Sequence, residues 1–196
     1  TVRTFKAPVK AGLNRAFWDL RSEMTKEAKL RASPLYEDWF AVTDEGQKAP
    51  GIGRYAVLEP PGTYKVTLKY AGVEESQPLV ILKDPMSGAS EQEIAAQMET
   101  QRAVIADIND AVTQVNDLEI VRGQLSDLLD IAGKDSTRAD IKALTKPLMD
   151  KVIAVERKLY QMQVTGRGQD NVRWPVQITE QLTYLSSSIG SSDYAP

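Results

Sequence analysis

At 196 residues, 42% of them apolar and 26% charged, the chain has the composition of a globular protein and enough length for one large core or two small ones. Its formal net charge of −3, with Lys and Arg interspersed among acids, excludes the clustered basic footprint of a nucleic-acid-binding protein. With no Cys and no His, it has no disulfides, thiol nucleophiles or imidazole-dependent triads, and nearly all zinc sites are excluded.

No apolar run approaches the roughly 18 residues of a membrane-spanning helix, so no span is expected. The chain opens Thr1-Val2-Arg3-Thr4-Phe5, strand-like and without an initiator Met, and reads as an internal portion of a longer polypeptide. Residues Leu13 to Arg21 are the first expected strand. Ala16, Trp18 and Leu20 point one way and Leu13 and Phe17 the other, so both faces are expected to be covered.

Residues 22–58 fit neither the strand nor the helix period. Glu23 to Leu30 reads as a short helix ended by Ser33-Pro34, within a long irregular insert. Tyr36, Trp39 and Phe40 cluster there, ahead of the Gly- and Pro-containing stretch Ala49 to Gly53. The clearest strand is Tyr64 to Tyr70, with Tyr64, Val66, Leu68 and Tyr70 on one face and Lys65, Thr67 and Lys69 on the other. Pro60-Pro61-Gly62 starts it, Ala71-Gly72 reverses it, and Gln77 to Lys83 is the expected partner.

Near Asp84-Pro85 the apolar period changes from two to between three and four. Ser90 and Glu93 form a capping-box pattern. Ile94, Met98, Ile105, Ile108, Val112, Val115, Leu118, Val121, Leu125 and Leu128 then mark one helix of about 40 residues, ending at Ala132-Gly133-Lys134. A second helix carries Ile141, Leu144, Leu148, Val152, Val155, Leu159 and Met162. Pro147, inside that pattern, either kinks the helix or marks its start. After Thr165-Gly166-Arg167-Gly168, a third helix has Pro175 in its first turn and Ile178, Leu182, Leu185 and Ile189 as its stripe.

The fold class expected from these periods is α+β: an antiparallel β-sandwich over residues 1–85, interrupted by the 22–58 insert, and an antiparallel three-helix bundle over 86–196 with a frayed Ser-rich tail.

Three segments carry a family resemblance. Ala11-Gly12-Leu13-Asn14-Arg15, running into Trp18-Asp19-Leu20-Arg21, resembles a strand near the C-terminus of large bacterial BNR-repeat proteins with sialidase- or sortilin-like β-propellers. Pro61-Gly62-Thr63-Tyr64, with Gln77-Pro78-Leu79 and Lys83-Asp84-Pro85, is similar to strands of the same region. Gly168-Gln169-Asp170, through Trp174-Pro175 to Leu182, resembles the closing helix, with Trp174 in place of a more usual Tyr. The resemblance covers nearly the whole chain outside 22–58. It implies a C-terminal region following the propeller, an Ig-like sandwich of the flagellar hook-capping type with an open edge before Val2, and an extracytoplasmic location in a protein often labelled glycosyl-hydrolase-like. It carries no catalytic residues.

The chemistry-bearing patterns are sparse. No G-x-S-x-G, S-x-x-K or phosphate-binding glycine loop occurs, and no cofactor is implied. Asp107-Ile108-Asn109-Asp110 lies inside a helix, where its acids diverge and read as a solvated face rather than a calcium loop. A glycosidase needs two carboxylates, and Asp19, Glu37 and Asp38 stand near aromatics. As a strand residue, however, Asp19 reads as bonding a neighbouring turn or Arg15.

Tyr36, Trp39 and Phe40 form either a platform for a sugar, peptide or neighbouring domain, or an apolar lid over Trp18. Asn14 and Arg15 read as hydrogen-bonding the junction or the insert, and Trp174 as plugging the sandwich–bundle junction. The expected function is a non-catalytic accessory module supporting an N-terminal propeller of the same polypeptide. A carbohydrate-binding domain using the aromatic insert is the alternative, and the helices offer a further surface for self-association with a second copy.

Overall fold

The elements of the computed structural model are, in chain order, β1 (Lys29–Leu30), β2 (Gln47–Lys48), β3 (Gly62–Tyr70), β4 (Val73–Ile81), α1 (Glu91–Lys134), a single 3-10 turn (Ser136–Arg138), α2 (Ala139–Leu159), α3 (Asp170–Arg173) and α4 (Ile178–Ile189). The structure describes residues 1–33, 42–43, 45–163 and 169–191.

The helices form where the apolar stripes place them. Ser90 and Glu93 close the capping box at the start of α1: the Ser90 N–H donates to Glu93 Oε2 at 2.7 Å, and the Glu93 N–H donates to Ser90 Oγ at 3.2 Å. α1 then runs for 44 residues to Lys134. Asp135 caps the next turn by accepting from the Thr137 N–H at 2.9 Å. α2 contains Pro147 in its interior rather than at its start. α4 begins three residues after Pro175, with Glu180 reaching back to the Gln177 N–H at 3.1 Å.

The expected β-sandwich is not present. Among the described residues the β-structure is two small antiparallel sheets of two strands each, β1–β2 and β3–β4, beside three long helices, so the class is mixed α and β without a sandwich. The strand expected at Leu13 to Arg21 does not form. Asn14 turns the chain on itself instead, accepting from the Lys10 N–H and donating to the Lys10 and Gly12 carbonyls. A side chain that bonds its own backbone in this way competes with strand pairing. The only pairing this segment makes with described residues is an isolated bridge, Arg21 to Leu58. Leu13 and Phe17, expected to be covered, are 90% and 82% exposed.

Two compact units are each built from non-consecutive stretches. The first comprises Thr1–Met24, Ala56–Ala103 and Ser186–Pro196. Its extended N-terminal stretch meets residues 56–59 through Ser22 N–H to the Val57 carbonyl (2.8 Å) and Glu59 N–H to the Leu20 carbonyl (2.7 Å). Val57, Ala89 and Met98 are buried there. Gln97 and Gln101 of α1 donate to the carbonyls of Ile189 and Ser186 at the end of α4.

The second unit comprises Thr25–Tyr55 and Val104–Leu185. Here the expected helix at Glu23 to Leu30 gives way to an extended segment, residues 25–33. Ala28, Leu30 and Ala32 are buried on alternate positions. One edge of this segment pairs with main chain: Thr25 N–H to the Tyr55 carbonyl, Ala49 N–H to the Ala28 carbonyl, and the β1–β2 register Lys29 to Lys48 and Leu30 to Gln47. The other edge is met by side chains of α1. The core beneath holds Ile108, Val112, Val115, Ile52 and Tyr160.

Candidate functional site

Two features stand out, one in each unit. In the first unit the β3–β4 register pairs Tyr64 with Leu79, Val66 with Gln77, Leu68 with Glu75 and Tyr70 with Val73, so these side chains share one face. The opposite face carries Lys65, Thr67 and Lys69 with Pro78, Ser76 and Glu74, joined by the Lys69–Glu74 ion pair at 2.9 Å.

Among the described residues, the apolar face is covered only at one end. Trp18 meets Tyr64 edge-on at 5.8 Å between ring centroids, and its Nε1–H is fixed by the Arg21 carbonyl at 2.8 Å. The Tyr64 hydroxyl donates to the Pro60 carbonyl at 2.7 Å. Burial, and then the nearby Glu59 carboxylate, hold that hydroxyl above its ordinary pKa. Glu59 is itself buried and paired with Arg102 at 2.6 Å. Farther along the hairpin Val66, Leu68, Tyr70 and Val73 are 50%, 66%, 59% and 59% exposed. The hairpin is rooted at its Trp18 end and bare at its tip.

The second unit holds a buried charge cluster. The face of α1 below the extended segment is lined with polar groups matched to that segment's backbone. Asn109 Oδ1 accepts from the Lys26 N–H at 2.8 Å. Asn116 accepts from the Lys29 N–H at 2.8 Å and donates to the Glu27 carbonyl at 3.1 Å. Glu119 Oε2 accepts from the N–H groups of both Arg31 (2.6 Å) and Ala32 (3.0 Å), and Arg122 donates to the Ser33 carbonyl at 2.7 Å. A helix normally offers nothing to a strand edge; these side chains satisfy the edge donors and acceptors instead.

At the end of this row Arg122 also pairs with Glu119 and, at 3.0 Å, with Glu156 of α2. Both carboxylates are fully buried. Burial, followed by a hydrogen bond to Glu119, pushes the Glu156 carboxyl up to about 8 despite the opposing pull of Arg122. A further buried acid, Glu180, accepts from the N–H groups of Gln161 (2.8 Å) and Gln177 (3.1 Å), and burial raises its pKa against those bonds.

Among the described residues, those singled out from sequence do not converge. Asn14 bonds its own loop, and Arg15 is exposed. Asp19 accepts from the Arg21 N–H at 3.2 Å and pairs with Arg3 at 3.4 Å, not with Arg15. Trp18 is the exception, seated on Tyr64. Trp174 is half-buried, just after α3 and next to Pro175, whose carbonyl accepts from Gln161 Nε2 at 2.7 Å. Tyr36, Trp39 and Phe40, with Glu37 and Asp38, lie outside the described residues.

Sequence reading missed Glu119, Arg122 and Glu156. Ile108, Val112, Val115, Glu119 and Arg122 succeed one another at spacings of four, three, four and three, a core stripe whose last two members are charged. That pattern was the available signal. Among the described residues no group of three or more acids is placed to hold a metal ion. No helix among them is long and apolar enough to cross a membrane. Comparison of the chain with protein families, curated proteins and solved structures gives no match.

Proposed function

We propose that this chain is a non-catalytic interaction module that docks the apolar face of the β3–β4 hairpin onto a β-propeller of the same polypeptide. The observation that carries this reading is the bare row Val66, Leu68, Tyr70 and Val73, on a sheet of only two strands. Two-stranded hairpins are marginally stable alone and gain stability when an apolar face is covered. Contiguous exposed apolar side chains of this kind mark interaction surfaces in soluble proteins. The unpaired edges of β3 and β4 offer main-chain donors and acceptors to a neighbouring strand as well.

The choice of a BNR-repeat propeller as partner, and of an exported bacterial protein as setting, rests on the resemblance of the 11–21, 61–85 and 168–182 motifs. The test is photo-crosslinking in the source cells, with benzoylphenylalanine at position 68 and, as control, at exposed position 99 of α1. Adducts from position 68 whose partner peptides come from propeller repeats support the proposal. Adducts at both positions alike, or from position 68 only to proteins without such repeats, overturn it.

A further inference from the structure

Glu119, Arg122 and Glu156 place two carboxyl groups around one guanidinium with no access to water. Both of the ion pairs that these acids make with described residues go to Arg122. Were both acids ionised, the trio would carry a net negative charge in a site where uncompensated charge is expensive. One retained proton makes it neutral and turns the second carboxyl into a hydrogen-bond donor for its neighbour.

The same three side chains are the terminal fastening of the extended segment. Glu119 accepts from Arg31 and Ala32, and Arg122 donates to the Ser33 carbonyl. Arg122 therefore holds both Glu156 and the segment, through different nitrogens: NH1 faces the carboxylates and NH2 faces Ser33.

We propose that Glu119, Arg122 and Glu156 form a proton-dependent latch, in which one proton kept on the Glu156 carboxyl holds residues 31–33 against α1 and its loss to solvent favours release of that segment. Among the described residues, the charged and titratable groups that face Glu156 are Glu119 and Arg122 from α1. On α2 itself, Arg157 and Lys158 are exposed, and the Tyr160 hydroxyl is engaged by the Pro50 carbonyl at 3.0 Å. The raised Glu156 pKa accords with a retained proton.

The linkage has a definite sign. Opening exposes Glu156 to water and returns it to an ordinary carboxylate, so opening sheds a proton between the open and closed pKa values. Protection of the Arg31 and Ala32 amides against hydrogen exchange, corrected for intrinsic rates, is expected to fall as pH rises from about 5 to about 8, by up to about tenfold per unit, and then to level off. The Lys26 amide, bonded to Asn109 at the other end of the segment, is expected to show no such slope. Glu156→Gln keeps the donor and removes the proton, so its Arg31 and Ala32 protection is expected to be independent of pH. Wild-type protection that is flat across this range overturns the proposal by itself. A slope that survives in Glu156→Gln, or that appears equally at Lys26, also overturns it.

Discussion

Gly123 makes room for Arg31: a methyl on the Gly123 Cα would stand 3.1 Å from the Arg31 carbonyl oxygen. The extended segment and α1 approach so closely because polar side chains on either side of this glycine draw the strand edge down. Ala at position 123 gains about 1 kcal/mol of helix propensity and loses part of it to crowding, so Gly123→Ala is expected to be near neutral. The larger, branched Gly123→Val forces the segment away and is expected to be less stable than Gly123→Ala by about 2 kcal/mol in urea titrations. Equal stability of the two variants would show that the approach does not constrain the helix.

Asn116 serves an N–H and a C=O of the segment at once. Asn116→Ala leaves the Lys29 N–H and the Glu27 carbonyl without these partners, an expected loss of about 1–3 kcal/mol. Asn116→Asp keeps the acceptor but not the donor and is expected to fall between the two. Chemical denaturation of the three proteins checks the order.

Stability is expected to decline with rising pH through the range where Glu156 and Glu180 hold protons that the unfolded chain has released. Both pKa values are raised on folding, by burial first. The folded state therefore binds more protons than the unfolded state, and stability falls as pH rises. For Glu156 the window opens near the ordinary carboxylate value and closes at about 8, with a slope of at most about 1.4 kcal/mol per unit. Glu156→Gln is expected to flatten this part of the thermal-stability profile. Arg122→Met strands two buried carboxyls and is expected to cost about 3–5 kcal/mol at pH 7. A profile that rises between pH 5 and 8 in the wild-type chain would reverse the assignment.

The helices were legible because α1, α2 and α4 repeat apolar residues over several turns and carry their own punctuation, as in Ser90 with Glu93. The β3–β4 hairpin was legible from strict alternation between Tyr64 and Tyr70. The sandwich was expected from the alternating apolar residues before Asp84, including Leu13 to Arg21, and such alternation says only that burial would be favourable, not that partner strands exist. Residues 23–30 have the composition of a helix, with Glu, Lys, Ala, Met and Leu. They are extended because Asn109 and Asn116, more than 80 residues later, satisfy their backbone. No local window contains that information. The charged end of the α1 stripe was hidden by Leu118 and Val121, which continue an apolar spacing while Glu119 and Arg122 take the buried positions.

If the hairpin face is an interface rather than core, its side chains contribute little to the stability of the isolated chain. Thermal unfolding of Leu68→Thr, compared with Ile108→Ala in the fully buried stripe, is the most direct measurement. Leu68→Thr is expected to stay within about 0.5 kcal/mol of the parent, while Ile108→Ala loses about 2–5 kcal/mol. A loss at Leu68 as large as that at Ile108 would mean that the chain covers this face itself, and would contradict the docking account.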